Sequence, residues 1–271
     1  PTFIVDDGQR LGKRFYSFRQ QVCTSKFNGF ANEWIDKPDA EEAVANVLKD
    51  IVIRYALNDC IDLPETSVRT MYTNLSAKTR KAYNTLSEES VLYTQQGTIN
   101  AVNAGARVKK LLQLITGAIY DQEGNVQFVH EERYELIMDL IEQRKHSLVA
   151  FNWKHERDNL INLAEKRKLS YAVIDGDVNV KERKAIVDRY QNGHIQVLFA
   201  HPQSAGHGLT LTKGTCTIWS SPTYNAEHFQ QFNRRIHRAG QTQKTETILI
   251  AARDTWEEAV YEKLNTKTNW P

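Results

Sequence analysis

Apolar residues follow helical and strand patterns in regular alternation from residue 131 onward. Over 131–145 apolar residues recur every three or four positions, which predicts an amphipathic helix. Strands are predicted at 147–151, 171–174, 195–200, 216–220 and 245–252, and helices at 154–168, 181–190, 226–238 and 255–264. Because helices that alternate with buried strands are typical of a parallel sheet, this part of the chain predicts a doubly wound α/β fold.

The first 125 residues show a different pattern, with long helical periods and few apolar strand runs. Helices are predicted at 40–50, 76–92 and 100–114, and Ser76 suits the N-cap of the second. No repeat, low-complexity segment or Gly/Pro/Ser-rich linker interrupts the sequence. The chain therefore divides into a largely helical extension over 1–125 and an α/β domain over 126–271.

Composition excludes several classes of protein. Lys and Arg number 35 and Asp and Glu 33, so any affinity for nucleic acid must come from local patches. The cysteines Cys23, Cys60 and Cys216 are odd in number and far apart, which argues against a disulfide framework or a zinc site and fits a reducing compartment. No apolar run approaches the roughly 18 residues of a membrane span. We therefore expect an intracellular, cytoplasmic protein with no membrane partner and no metal ligands of its own.

The helix predicted over 226–238 carries the strongest candidate chemistry. Gln231, Arg235 and Arg238 follow a spacing of i, i+4 and i+7, which places them on one helix face, and Gly240 ends the helix. A guanidinium offers a fixed fork of donors and stays charged, so a pair of them suits the oxygens of a phosphate. A solvated amphipathic helix is the simpler alternative for this segment alone.

The loop after the strand at 195–200 is the second candidate. Gly206 and Gly208 flank one residue and allow backbone amides to approach a phosphate, while Ser204 and Thr210 add hydroxyl donors. Open α/β sheets place their ligands at such carboxyl ends of strands. A tight turn without a ligand is the alternative.

Both segments resemble motifs of one family. The run 231–241 matches Gln-x-x-x-Arg-x-His-Arg-x-Gly-Gln and resembles motif VI of Swi/Snf-type helicase-like ATPases, whereas RNA helicases of the DEAD-box kind have a further arginine in place of Gln241. The loop at 206–212 resembles motif V of the same family. The run 147–153 is similar to motif IV, and further matches lie at 174–176 with Arg183 and Tyr190, and at 53–54, 62–64 and 75–76. The details at 8–18, 40–42 and 117–121 resemble phage and bacterial members.

This resemblance implies a RecA-like lobe with named roles. Arg235 and Arg238 would be catalytic arginine fingers, and Gln231, Gly206 and Gly208 would contact the nucleotide. Contacts to the DNA backbone are implied at Ser204, Thr210, Thr212, Asn152, Trp153 and Gly176. For the loops at Asn152, Trp153 and Gly176, exposure without any contact remains an open alternative.

The chain also departs from the family. Residues 223–225 read Thr-Tyr-Asn where Trp-Asn-Pro is usual, and Gln230 stands where an acidic residue is expected. No Gly-x-x-x-x-Gly-Lys-Ser/Thr loop occurs, since Gly12 with Lys13 lacks that spacing. The triphosphate cradle is therefore missing, and we expect ATP and Mg²⁺ to be bound mainly by an N-terminal lobe absent from this chain.

The sequence thus predicts the C-terminal half of a DNA-dependent ATPase that translocates on double-stranded DNA. Its partners would be double-stranded DNA and the N-terminal ATPase lobe of the same protein, and the fragment alone would be inactive. The first residue is Pro1, not Met, which favours a cut or processed chain. The alternative is a non-catalytic nucleic-acid-binding module with a helicase-lobe fold, which a start codon immediately upstream would favour.

Overall fold

Two compact units make up the chain, Pro1–Asp62 and Leu63–Pro271. The computed structural model describes residues 7–27, 32–53, 62–94, 97–101, 103–121, 123–128, 130–206 and 208–268. Residues 54 and 207, which belong to motif matches in the sequence, and Cys60 lie outside these ranges.

Within its described residues, the first unit contains two short helices and one antiparallel strand pair. Its elements are α1 (Phe15–Val22), β1 (Cys23–Phe27), β2 (Asn32–Asp36) and α2 (Ala40–Leu48). The guanidinium of Arg19 lies 4.0 Å from the ring centroid of Trp34. Of the described residues in this unit only Gly8 and Leu11 are buried, so the unit contains little core of its own.

The second unit contains the main sheet. Its strands are β3 (Thr66–Thr73), β4 (Val91–Thr94), β5 (Gly97–Asn100), β6 (Ala118–Tyr120), β7 (Val126–Phe128), β8 (Ser147–Ala150), β9 (Tyr171–Ile174), β10 (Val197–Ala200), β11 (Cys216–Trp219) and β12 (Thr245–Ala252). Its helices are α3 (Ala77–Glu89), α4 (Ala104–Ile115), α5 (Tyr134–Glu142), α6 (Lys154–Lys166), α7 (Val180–Gln191), α8 (Ala226–Asn233) and α9 (Trp256–Thr268), with a 3₁₀ turn at Ser204–Gly206.

Six parallel strands form the sheet in the order β3-β12-β11-β8-β10-β9. This confirms the predicted doubly wound α/β fold. From β8 the chain proceeds to β9 and β10 on one side, then crosses to β11 and β12 on the other. The carboxyl ends of β8 and β11 are therefore neighbours at a topological switch point, where open α/β sheets place ligands.

The core lies on both faces of this sheet. Because neighbouring strand residues point to opposite faces, Leu198 packs in one cluster and Phe199 in the other. Trp219 anchors α8 on the first face, since its ring centroid lies 4.9 Å from that of Phe229 and its Nε1 donates to Asn233 Oδ1 at 2.8 Å. The core thus fixes α8 relative to the end of β11.

Strands before residue 125 are the main difference from the predicted elements. β3 pairs with β12 along its whole length, and β4–β5 and β6–β7 form antiparallel pairs. β3 is an edge strand whose residues alternate between exposed and partly buried positions. It therefore contains no continuous apolar run from which a buried strand would be predicted. The expected domain limit at 125/126 falls inside the second unit and stays a prediction. No helix within the described ranges is long and apolar enough to cross a membrane.

Candidate functional site

The helix that was predicted to carry the arginines is shorter than expected. Asn225 caps the start of α8 through His228, but the helix ends at Asn233, so the expected helix over 226–238 is wrong after that residue. Arg235 and Arg238 lie in the following segment, 234–240, which we call the arginine turn. The main chain tightens after Asn233, because the amide of Arg235 donates to Phe232 O at 3.0 Å, only three residues back, and Arg235 O then accepts the amide of Leu211 at 3.0 Å.

The two guanidiniums nevertheless converge on one atom. Nη1 of Arg238 donates to the carbonyl oxygen of Leu209 at 3.1 Å, and Nη1 of Arg235 reaches the same oxygen at 3.4 Å. Arg235 is only 8% exposed, and burial, followed by the nearby charge of Arg238, lowers its pKa. Two cations held this close in a partly buried place favour an anionic ligand.

Gln241 joins the arginine turn to the preceding loop. Its buried Nε2 lies within hydrogen-bond distance of three carbonyl oxygens, those of Thr212 at 3.1 Å, Gly214 at 3.0 Å and Ile236 at 3.1 Å. Thr212 is fixed further because its Oγ1 accepts from Gln191 Nε2 at 3.2 Å. The two predicted phosphate-binding segments therefore form one hydrogen-bonded unit.

The loop after β10 presents the remaining predicted residues of this region. Ser204 and Gly206 bound the 3₁₀ turn, and Thr210 is exposed. Gly208 has a φ of +65°, which a side chain would strain, and it faces open space. Gln231, which was predicted to contact the nucleotide, does not share the Leu209 carbonyl with the arginines. Its Nε2 donates to Glu227 Oε1 at 2.7 Å on its own helix.

The predicted DNA contacts after β8 and β9 lie at the same edge of the sheet. The segments that follow the carboxyl ends of β8 to β11 are here called the carboxyl edge. They are 151–153, 175–179, 201–206, 208–212 and 220–225. Asn152 Nδ2 is already engaged, because it donates to the carbonyl and to the hydroxyl of Ser221 at 2.9 Å each. Trp153 has the Lys109 ammonium 5.9 Å from its ring centroid, and Gly176 is exposed. The roles of these residues stay predictions.

Sequence reasoning missed a buried polar cluster beneath this edge. Arg133 forms a bidentate ion pair with Glu257 at 2.8 and 2.9 Å and also donates to the carbonyl of Ser220. Glu156 is fully buried and binds Ser220 and Ser221. A glutamate three residues after a helix N-cap was the available signal, but the cap here is a tryptophan and not Ser or Thr. Within the described ranges no group of three or more His, Cys, Asp or Glu could hold a metal ion.

Residues 132–240 match the family model of the helicase conserved C-terminal domain. The matched segment contains β8 to β11, the loop with Gly208 and the arginine turn up to Gly240. Over these residues the chain is therefore similar to a helicase C-terminal domain.

Known proteins narrow this class. The chain is 29% identical over 281 residues to protein p41 of Acyrthosiphon pisum secondary endosymbiont phage 1, covering 98% of this chain and 58% of that protein. It is 31% identical over 123 residues to the chromodomain-helicase-DNA-binding protein 1-like of Mus musculus, covering 45% of this chain and 14% of that protein. These similarities support the resemblance to a Swi/Snf-type helicase C-terminal lobe.

A solved structure shows the same fold. The C-terminal part of the Fun30 ATPase domain superimposes with a TM-score of 0.56 at 14% identity, covering 74% of this chain and 89% of that one. The chain spans little more than half of the length of the phage relative and about a seventh of the length of the mouse relative.

Proposed function

We propose that this chain is the C-terminal half of a DNA-dependent ATPase that translocates on double-stranded DNA. In this proposal Arg235 and Arg238 act on ATP held by an N-terminal lobe of the same protein. The observation that carries it is the convergence of both guanidiniums on the Leu209 carbonyl, beside a glycine loop at the carboxyl edge. The similarity to the mouse chromodomain-helicase-DNA-binding protein 1-like supports the same class of reaction.

The arginines would work by countering charge. Phosphoryl transfer spreads negative charge over the γ-phosphate oxygens, and guanidinium donors lower the free energy of that state. A phosphate oxygen is a stronger acceptor than the neutral carbonyl of Leu209, so both side chains would exchange that carbonyl for the phosphate when the lobes close. ATP with Mg²⁺, held mainly by the N-terminal lobe, would supply the phosphoryl group and the countercharge of the metal. Gly206, Gly208 and Gln231 would contact the nucleotide next to the arginines.

The carboxyl edge would hold the DNA backbone. Its candidate contacts are Ser204, Thr210, Thr212, Asn152, Trp153 and Gly176. Hydroxyl, amide and main-chain donors suit phosphate oxygens and carry no base preference, as translocation along any sequence requires. Gln241 would transmit the position of this loop to the arginine turn. The proposed place of action is the cytoplasm of a bacterium or phage-infected host, in line with the phage origin of one relative.

Reading the coding sequence ahead of Pro1 is the first test, with a Walker-type loop and an Asp-Glu strand end as the expected result. ATP hydrolysis is then measured with the two-lobed protein and with this chain alone, each with and without duplex DNA. We expect DNA-stimulated hydrolysis in the two-lobed protein only. Replacing Arg235 or Arg238 by Ala should lower it by about 10³-fold or more.

Arg234→Ala is the matched control, because Arg234 is an exposed arginine in the same turn. This variant should hydrolyse ATP like the wild type. Hydrolysis by the isolated chain, or full activity of both alanine variants, would overturn the proposal. Salt-sensitive DNA binding without any hydrolysis in the whole protein would indicate the non-catalytic binding module.

A further inference from the structure

Glu156 links two strands of the sheet through one buried carboxylate. Oε2 accepts the main-chain amides of Asn152 at 2.8 Å and Trp153 at 3.0 Å, which lie directly after β8. The same carboxylate accepts the hydroxyl of Ser220 on Oε1 at 2.8 Å and that of Ser221 on Oε2 at 3.0 Å, directly after β11. A capping glutamate normally serves its own helix, but here half of its bonds come from another strand.

The surroundings make this carboxylate difficult to replace. Glu156 has no exposed surface, and burial raises its pKa while the bound amides, hydroxyls and the charge of Arg133 act in the opposite direction. All four bonds come from donors, so the acceptor-only form of the side chain matches them. An apolar side chain would leave these donors unpaired in the core, which costs more than the bonds themselves contribute.

The position of Glu156 connects the two parts of the proposed site. On one side it fixes the loop of Asn152 and Trp153, which are proposed to contact DNA. On the other side it fixes the corner at Ser220 and Ser221. Asn225, the cap of α8, follows Ser221 by four positions. That helix ends at Asn233, directly before the arginine turn. Displacement of the DNA loop would therefore be passed through Glu156 to the helix that precedes the arginine turn.

We propose that Glu156 is a positioning residue that couples DNA bound at Asn152 and Trp153 to the arginine turn. This inference rests on the proposed function. Glu156 would keep the loop of Asn152 and Trp153 and the corner of Ser220 and Ser221 in fixed positions relative to each other at the switch point.

Two kinds of variant test the coupling in the two-lobed protein. Glu156→Ala removes all four bonds. Ser220→Ala with Ser221→Ala removes the two hydroxyl bonds to Glu156 and the bond from Asn152 Nδ2 to Ser221 Oγ, but it leaves the amides of Asn152 and Trp153 bound to Glu156 and Asn152 Nδ2 bound to the carbonyl of Ser221. Glu156→Gln is the rescue, because its oxygen can accept the amides while its NH₂ donates to a serine oxygen. Glu165→Ala is the matched control, since Glu165 is an exposed glutamate on the same helix.

The readout is ATP hydrolysis as a function of duplex DNA concentration. For Glu156→Ala and for the double serine variant we expect the DNA concentration at half-maximal stimulation to rise about tenfold, and the ratio of stimulated to unstimulated rate to fall. Glu156→Gln should restore both values to within about threefold, and Glu165→Ala should not change them. A purely structural defect would reduce both rates in proportion without moving the half-maximal concentration.

Amide proton shifts of the isolated chain provide a readout without ATP. The Trp153 amide should lose its carboxylate-bound shift and exchange faster in Glu156→Ala, but keep both properties in the serine variant. Wild-type protein without DNA-stimulated hydrolysis would refute the proposed function and the coupling with it. Wild-type stimulation with unchanged serine and Glu156→Ala variants would overturn the coupling alone. If Glu156→Ala does not fold, the serine variant decides by the same criteria.

Discussion

Tyr190 and Gly214 lie so close together that a Cβ atom at residue 214 would be 2.4 Å from the tyrosine hydroxyl oxygen. Tyr190 is fully buried on α7, and its hydroxyl has no hydrogen-bond partner in the part of the chain that the structure describes. The carbonyl of Gly214 in turn accepts from Gln241. Glycine is therefore required here by lack of space, at a position that supports the arginine turn.

Gly214→Ala should destabilise the chain by about 1–3 kcal/mol, because the added methyl group overlaps the Tyr190 oxygen and overpacks the core. Tyr190→Phe removes that oxygen without emptying the site. The double variant should therefore be more stable than Gly214→Ala alone. Urea unfolding of all four proteins in a double-mutant cycle measures the coupling. Strictly additive effects would show that the two residues do not clash.

His155 gives the chain a pH-dependent stability. Its imidazole is 2% exposed, with Nε2 2.9 Å from Thr116 Oγ1 and Nδ1 3.1 Å from the Tyr120 hydroxyl. Burial, reinforced by the charge of Arg133, lowers its pKa from the ordinary 6.5 to about 4. In the unfolded chain His155 therefore takes up a proton near pH 6.5, while in the folded chain it stays neutral down to about pH 4.

The sign follows from this difference. The contribution of His155 is complete above pH 6.5 and is lost as the pH falls from 6.5 to about 4, by up to about 3 kcal/mol. His155→Gln should lose less stability over the same interval, as measured by urea unfolding at pH 7, 5.5 and 4. His194→Gln, which removes an exposed histidine, is the control and should follow the wild type. Parallel curves for wild type and His155→Gln would contradict the assignment.

Local sequence patterns predicted the elements that bury continuous apolar runs. The strands at 171–174 and 245–252 agree residue for residue with the structure, and Ser76 caps α3 by accepting the Thr79 amide at 3.2 Å. These features depend on neighbouring residues alone, so periodicity and capping chemistry identify them. The family motifs were recognised for the same reason, since each lies in one short run.

Features made by distant partners were not predictable in this way. The arginine turn is bound to the Leu211 amide through Arg235 O, and the role of Glu156 depends on Ser220 and Ser221, more than sixty residues away. A single sequence contains no record of these pairs. Spacing alone therefore placed both arginines on a helix, whereas long-range hydrogen bonds place them in a turn.

Gln241 is the clearest test of that turn, because its single amide group holds both sides. Its Nε2 faces the carbonyl oxygens of Thr212, Gly214 and Ile236, so the group at this position must be a donor. Gln241→Ala loses these bonds and should destabilise the chain by about 1–3 kcal/mol. Gln241→Glu keeps the size of the side chain but turns an acceptor toward three acceptors.

We therefore expect Gln241→Glu to be less stable than Gln241→Ala at pH 7, although it differs less in volume from glutamine. The difference between these two variants should shrink at low pH, because a protonated carboxyl group can donate again. In the two-lobed protein both changes should lower DNA-stimulated hydrolysis, on the order of 10²-fold, since misplaced arginines cannot reach the phosphate. Gln243→Glu places the same charge at an exposed neighbour and should leave both stability and hydrolysis unchanged. Equal losses for Gln241→Glu and Gln243→Glu would mean that charge, and not the donor at residue 241, sets the geometry of the turn.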